Sequence, residues 1–161
     1  MNKIKLRGLV DEDFTNYKKP SMFIIFPKCS FKCDKECGEE VCQNSSLALA
    51  PEIFIEKKEL VKRYIENPLT KAIVFGGLEP FDSLIEMLEL IEAFRAETKD
   101  DIVIYTGYTE KEVYDTCYKV LARYPNIIVK FGRFLPNEES HLDKILGVEL
   151  ASKNQYTKKI S

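Results

Sequence analysis

Ala72-Ile73-Val74-Phe75-Gly76-Gly77-Leu78-Glu79-Pro80 opens the stretch that decides the fold; a helical pattern from Ser83 to Glu97 follows, then Ile102-Val103-Ile104-Tyr105. Both apolar runs are short, rich in β-branched or aromatic residues, and lack clean alternation, as strands covered on both faces do. Between them Leu84, Leu88, Ile91 and Phe94 fall on one helical stripe, and Ser83 with Glu86 has the spacing of a capping box. Strand, helix and strand at this spacing predict a βαβ unit with parallel strands.

The same grammar extends in both directions. Met22-Phe23-Ile24-Ile25-Phe26 and Ile127-Ile128-Val129-Lys130-Phe131 read as two more strands. Lys57 to Glu66 and Thr109 to Arg123 read as helices that stop before Pro68 and Pro125, the second opening on a Thr109/Glu112 capping box. The fold class is therefore α/β, with an open, mostly parallel sheet of βα units, a partial and unclosed TIM-type barrel. A closed eight-stranded barrel takes about 250 residues; this chain has 161 and reads as one domain over residues 1–161. Functional loops of parallel sheets gather at the carboxyl ends of the strands. There stand Pro27 to Asn44, Gly76 to Pro80, Thr106 to Tyr108 and Gly132 to Pro136.

Composition removes several classes of function. Hydrophobic residues make up 45% and charged residues 31%, an ordinary balance for a folded soluble chain. Lys+Arg number 24 and Asp+Glu 26, so a net charge of -2 supplies no electrostatic reason to bind nucleic acid. No stretch reaches the roughly 20 apolar residues of a membrane span, and no apolar leader follows Met1. The expected location is the cytoplasm. No Ser-His-Asp pattern or phosphate loop is present, and Lys18-Lys19 and Lys158-Lys159 read as solvated surface charge.

The cysteines carry the chemistry. Five are present, and four fall in Cys29-Ser-Phe-Lys-Cys33-Asp-Lys-Glu-Cys37-Gly-Glu-Glu-Val-Cys42-Gln-Asn44. Without a secretory leader, clustered thiols read as metal ligands rather than a disulfide framework. Structural zinc sites commonly use paired Cys-x2-Cys knuckles or a Cys/His mixture. Neither occurs here, the single histidine being His141, so the set favours an iron–sulfur cluster over zinc. Cys117 stands apart, on a helical face with Val113, Val120, Leu121 and Tyr124, and reads as a small core residue.

Cys29-x3-Cys33 after a first strand, a later cysteine, and Gly76-Gly77-Leu78-Glu79-Pro80 after the second strand together resemble the radical S-adenosylmethionine (SAM) superfamily. That family's usual Cys-x3-Cys-x2-Cys and Gly-Gly-Glu-Pro are both altered here, by a longer second gap and by the extra Leu78. The resemblance implies a 4Fe-4S cluster on Cys29, Cys33 and Cys42, leaving one iron open, with Cys37 as the rival third ligand. Val41 favours Cys42, because the family often has an apolar residue before its third cysteine, near the adenine. Cys42-Gln43-Asn44 is similar to the Cys-x-Asn of one branch. The resemblance thus implies that Val41, Gln43, Asn44, Gly76, Gly77, Glu79 and Thr106 bind SAM, with Glu79 facing its ammonium group.

Tyr105-Thr106-Gly107-Tyr108-Thr109, Gly132-Arg133-Phe134 and the tail Leu150-Ala-Ser-Lys-Asn154-Gln155 further resemble the activating proteins of anaerobic ribonucleotide reductase. That branch implies reductive cleavage of SAM and a glycyl radical formed on the reductase large subunit, with flavodoxin or ferredoxin as electron donor. No protein acid or base is required for the abstraction, so no side chain is assigned a catalytic proton transfer. Two readings compete: a small-molecule radical SAM enzyme similar to deazapurine synthases, and a non-catalytic zinc-binding adaptor.

Overall fold

A computed structural model describes residues 3–28 and 51–161. In chain order the strands are β1 (Lys3–Leu6), β2 (Gly8–Asp13), β3 (Ser21–Phe26), β4 (Ile53–Glu56), β5 (Ala72–Gly77), β6 (Asp101–Tyr105), β7 (Ile127–Phe131), β8 (His141–Asp143), β9 (Val148–Leu150) and β10 (Tyr156–Lys159). The helices are α1 (Lys57–Glu66), α2 (Leu84–Arg95), α3 (Glu110–Thr116) and α4 (Tyr118–Leu121), and Pro80–Ser83 forms a 3-10 turn. Among the described residues no helix is long and apolar enough to cross a membrane.

The main sheet has six strands in the order β10-β7-β6-β5-β3-β2. Its four central strands, β3, β5, β6 and β7, are parallel, as their apolar runs predict. The register sets Phe26 beside Gly77, Phe75 beside Ile104, and Tyr105 beside Lys130, which aligns their carboxyl ends along one rim. The sheet stays open. Antiparallel strands β2 and β10 form its two edges, and two small antiparallel pairs, β1 with β4 and β8 with β9, complete the pairing.

Alternate residues along each central strand enter two separate cores, which is why none shows a polar face. Met22, Ile24, Phe26, Ile73, Phe75, Ile102, Ile104, Ile127, Val129 and Phe131 pack with Leu60, Val61, Met87, Leu90, Phe94, Val113 and Leu121 from the four helices of the described residues. The helices thus share one face, as in a section of barrel wall. The opposite face, with Ala72, Val74, Val103 and Ile128, is covered by Tyr17, Leu146 and Leu150, with Phe23 and Tyr105 half-buried beside them. Removing that much apolar surface from water is the main stabilisation of such a sheet, at roughly 25 cal/mol per Å².

Local details depart from the sequence reading in four places. The helix expected from Ser83 begins at Leu84, and Ser83 makes no capping bond, because Pro80–Ser83 is a 3-10 turn already capped by the Glu79 side chain. The stripe expected on Leu84, Leu88, Ile91 and Phe94 is rotated, with Met87, Leu90, Ile91 and Phe94 fully buried and Leu84 and Leu88 at the margin. The helix expected over Thr109 to Arg123 opens on the predicted capping box but breaks at Cys117, whose φ of -147° and ψ of 9° are not helical. Finally, two antiparallel edge strands flank the four predicted ones. Cys117 is buried in the helical core as expected, and burial raises its thiol to about 11.

Candidate functional site at the carboxyl rim

The loop after β5 is shaped by its glycines. Gly77 has φ +81°, and a Cβ there would stand 2.2 Å from Ile25 Cγ2, so only glycine fits. Gly76 is needed for packing: a Cβ would meet Phe23 Cε1 at 3.0 Å and Tyr105 Cβ at 3.4 Å. Beyond them the chain turns through Leu78 into Glu79, whose backbone N–H donates to the Lys28 carbonyl at 2.7 Å. Lys28 is the residue before Cys29. The loop after β3 is thereby tied to the loop after β5.

Glu79 is the centre of the rim. Its Oε1 accepts from Gly107 N–H at 2.7 Å, and its Oε2 accepts from the Thr106 hydroxyl at 2.8 Å and from Phe81 N–H at 3.2 Å. Only 8% of the residue is exposed. Burial pushes its carboxyl up from 4.5 to about 7, and neighbouring Asp82 adds to the rise, while the three donors pull it down. A carboxylate offers about four acceptor positions. Three are taken here by the chain itself, and one on Oε1 remains for a donor such as an ammonium.

The loops after β6 and β7 close the other side. Thr106 is buried, donates to Glu79, and accepts from Tyr108 N–H at 3.0 Å. Tyr108 donates through its hydroxyl to Asp82 at 2.5 Å, and its carbonyl accepts from Gly132 N–H at 3.0 Å. Arg133 lies over the Tyr108 ring, 5.7 Å from its centre, and pairs with Glu112 at 3.0 Å. The Arg133 guanidinium holds the Glu112 carboxyl down at about 2. An open cleft of about 390 Å³, lined by Phe81, Tyr108, Glu112, Val113, Asp115 and Thr116, adjoins this loop on the helical side.

The tail returns to the rim. Asn154 donates to the Arg133 carbonyl at 2.8 Å, and Gln155 donates to the Gly132 carbonyl at 3.3 Å. A Cβ on Gly132, with φ +104°, would meet Asn154 O at 3.2 Å, so the tail packs directly on that glycine. The Asn154-Gln155 match thus falls beside the Gly132-Arg133 match in space as well as in likeness.

The structure joins Glu79 and Thr106 directly and sets Gly76 and Gly77 just below them. Cys29, Cys33, Cys37, Val41, Cys42, Gln43 and Asn44 lie outside the described residues. Among the described residues no group of three or more His, Cys, Asp or Glu side chains could hold a metal ion. Two rim residues escaped the sequence reading. Lys130 is buried in β7, donating to the Gly132 carbonyl at 3.1 Å with its ammonium 5.7 Å from the Tyr105 ring centre. A lysine inside Ile-Ile-Val-Lys-Phe was its signal. Arg133 was read only as a match, although a cation directly after a central parallel strand points to the rim.

Residues 21–156, well over half of the chain, match the family model described as "4Fe-4S single cluster domain". No curated protein and no solved structure matches the chain.

Proposed function

The chain belongs to the 4Fe-4S single cluster domain family, and from that premise we propose that it is a radical SAM activating enzyme whose cluster is held by Cys29, Cys33 and Cys42. The donor set fits such a group. Four cysteines stand within fourteen residues, whereas the remaining one, Cys117, is buried with its thiol raised to about 11. When bound, the cluster supplies the single electron that breaks a carbon–sulfur bond of the SAM sulfonium. The chain's own residues bind, orient and exclude water.

One observation carries the reading: Glu79 joins the residue that precedes the cysteine stretch to the Thr106-Gly107 loop. The motif that resembles a SAM-binding loop and the start of the motif that resembles a cluster loop therefore meet at a single rim. Glu79 accepts the SAM ammonium at its remaining Oε1 position, and Gly76 and Gly77 bring the end of β5 close to the ligand. The open sheet leaves a side by which a loop of another protein can enter. Its substrate is a glycine of an anaerobic ribonucleotide reductase large subunit, and a flavodoxin or ferredoxin delivers the electron. The likeness of residues 105–109, 132–134 and 154–155 to that branch supports this choice.

The test is anaerobic reconstitution with iron and sulfide, then addition of SAM and a reductant. Release of 5′-deoxyadenosine is expected, and a glycyl radical doublet in electron spin resonance once the reductase subunit is added. SAM cleavage without any protein radical would overturn the activase reading in favour of a small-molecule substrate. Colourless protein holding zinc would overturn both.

A further inference from the structure

Three of the rim loops, those after β5, β6 and β7, meet at one residue. The Tyr108 hydroxyl donates to Asp82 of the loop after β5 at 2.5 Å. Its ring meets Phe81 of that loop edge-on, with centroids 6.4 Å apart. In its own loop, the Tyr108 N–H donates to Thr106 Oγ1, the hydroxyl that donates to Glu79. From the loop after β7, Gly132 N–H donates to its carbonyl and the Arg133 guanidinium lies over its ring. Two charged groups of the rim, the Glu79 carboxyl and the Arg133 guanidinium, are thus linked through one residue. Glu79 Oε1 and Arg133 Cγ each stand 3.5 Å from the position a Cβ would take on Gly107, so the two side chains flank one small space.

We propose that Tyr108 is a positioning residue for the ligand of this rim, holding the Glu79 carboxyl and the Arg133 guanidinium at a fixed separation. The ligand class is a zwitterion, with an ammonium for Glu79 and an anionic group on the side of the guanidinium, which it shares with Glu112. The proposal rests on the SAM reading given above. A loop held only by its backbone would sample several separations of those charges. Tying the ring and hydroxyl to both neighbouring loops removes that freedom before the ligand arrives, which is the usual source of affinity in a preorganised site.

Two variants separate positioning from folding. Tyr108→Phe keeps the ring beneath Arg133 and every backbone bond, and loses the hydroxyl with its bond to Asp82. Tyr108→Leu loses the ring as well. Each is reconstituted anaerobically, its iron content and melting temperature are measured, and SAM is titrated by calorimetry. Tyr108→Leu is expected to weaken SAM binding by about tenfold, the lower end of the effect of supporting partners around a site. Tyr108→Phe is expected to fall between it and wild type, with iron content and melting temperature close to wild type in the Phe variant. Wild-type affinity in both variants would overturn the positioning role while leaving SAM binding intact. Affinity that falls only in step with iron content and melting temperature would reduce Tyr108 to a structural residue and also overturn it. A wild-type protein that binds iron but not SAM would overturn the SAM reading, and this inference with it.

Discussion

Replacing Glu79 by Gln tests the electrostatics of the rim through stability alone. The buried carboxyl titrates near 7 in the folded chain against 4.5 as its ordinary value, so the folded state holds a proton that the unfolded state has released between those values. The sign follows from that difference. Stability from this group is fully present below 4.5 and is lost as the pH rises through 7, a total of about 3 kcal/mol. About 2 kcal/mol of the loss falls between pH 5.5 and 8.5. Gln cannot ionise and has no such slope, but it carries a fixed cost. Gly107 N–H and Phe81 N–H approach different carboxyl oxygens, so one of them must face the amide NH2 whichever way the side chain turns. An opposed buried donor costs about 1–3 kcal/mol. Glu79→Gln should therefore be less stable than wild type at pH 5.5, and the gap should close by about 2 kcal/mol at pH 8.5. Urea denaturation at the two pH values, at matched iron content, measures the gap directly. A gap that stays constant, or widens as pH rises, would refute a Glu79 carboxyl that is protonated in the folded chain.

Four other outcomes are expected, the first from the cysteine motif and the rest from the geometry of the rim. Ala at Cys29, Cys33 or Cys42 should abolish cluster assembly while Cys37→Ala retains most of it; iron content decides, and the reverse behaviour of residues 37 and 42 would reassign the third ligand. Gly77→Ala should destabilise the chain by at least about 1–2 kcal/mol, since left-handed backbone alone costs that much for alanine and its Cβ would overlap Ile25; an unchanged urea midpoint would show that the loop relaxes. Arg133 holds the Glu112 carboxyl at about 2, below its ordinary 4.5, so this pair adds stability above 4.5 that is lost as the pH falls through 2. The Glu112 side chain is 39% exposed, so Glu112→Gln should cost less than about 1 kcal/mol at pH 7 and make the acid limb of the stability curve shallower. SAM affinity should rise with pH through about 7, because ionised Glu79 is the form that attracts an ammonium; calorimetry across that range checks it.

The central fold was legible because its four strands are buried on both faces, and burial on both faces writes itself as uninterrupted apolar runs. Edge strands leave no such mark. Gly8-Leu-Val-Asp-Glu-Asp13 and Tyr156-Thr-Lys-Lys159 carry charge, as exposed edges do, and contain no apolar run to mark them as strands. The Ser83 capping signal failed because capping boxes are local, whereas the competing Glu79 bond belongs to a turn built by the end of β5. At the site, Glu79 and Thr106 were both named from likeness, but their mutual bond spans 27 residues and no spacing rule shows it. Tyr108 meets Phe81, Asp82 and Arg133 of neighbouring loops, and Lys130 faces the Tyr105 ring of the next strand, contacts that only the folded register brings together.

The cover on the inner face comes late in the chain, and that has a consequence for synthesis. β3, β5, β6 and β7 are all complete by Phe131, whereas Leu146 and Leu150, which cover Ala72, Val74, Val103 and Ile128, are made afterwards. Translation proceeds at about 5–20 residues per second, so the nascent sheet spends about a second or more with that side covered, among the described residues, by Tyr17 without Leu146 and Leu150, a form prone to self-association. Chains held at the stage where Phe131 has left the ribosome and Leu146 has not should therefore display a helix-backed sheet that binds chaperones. Release of the β8–β9 hairpin, which brings Leu146 and Leu150 onto that face, should end the binding.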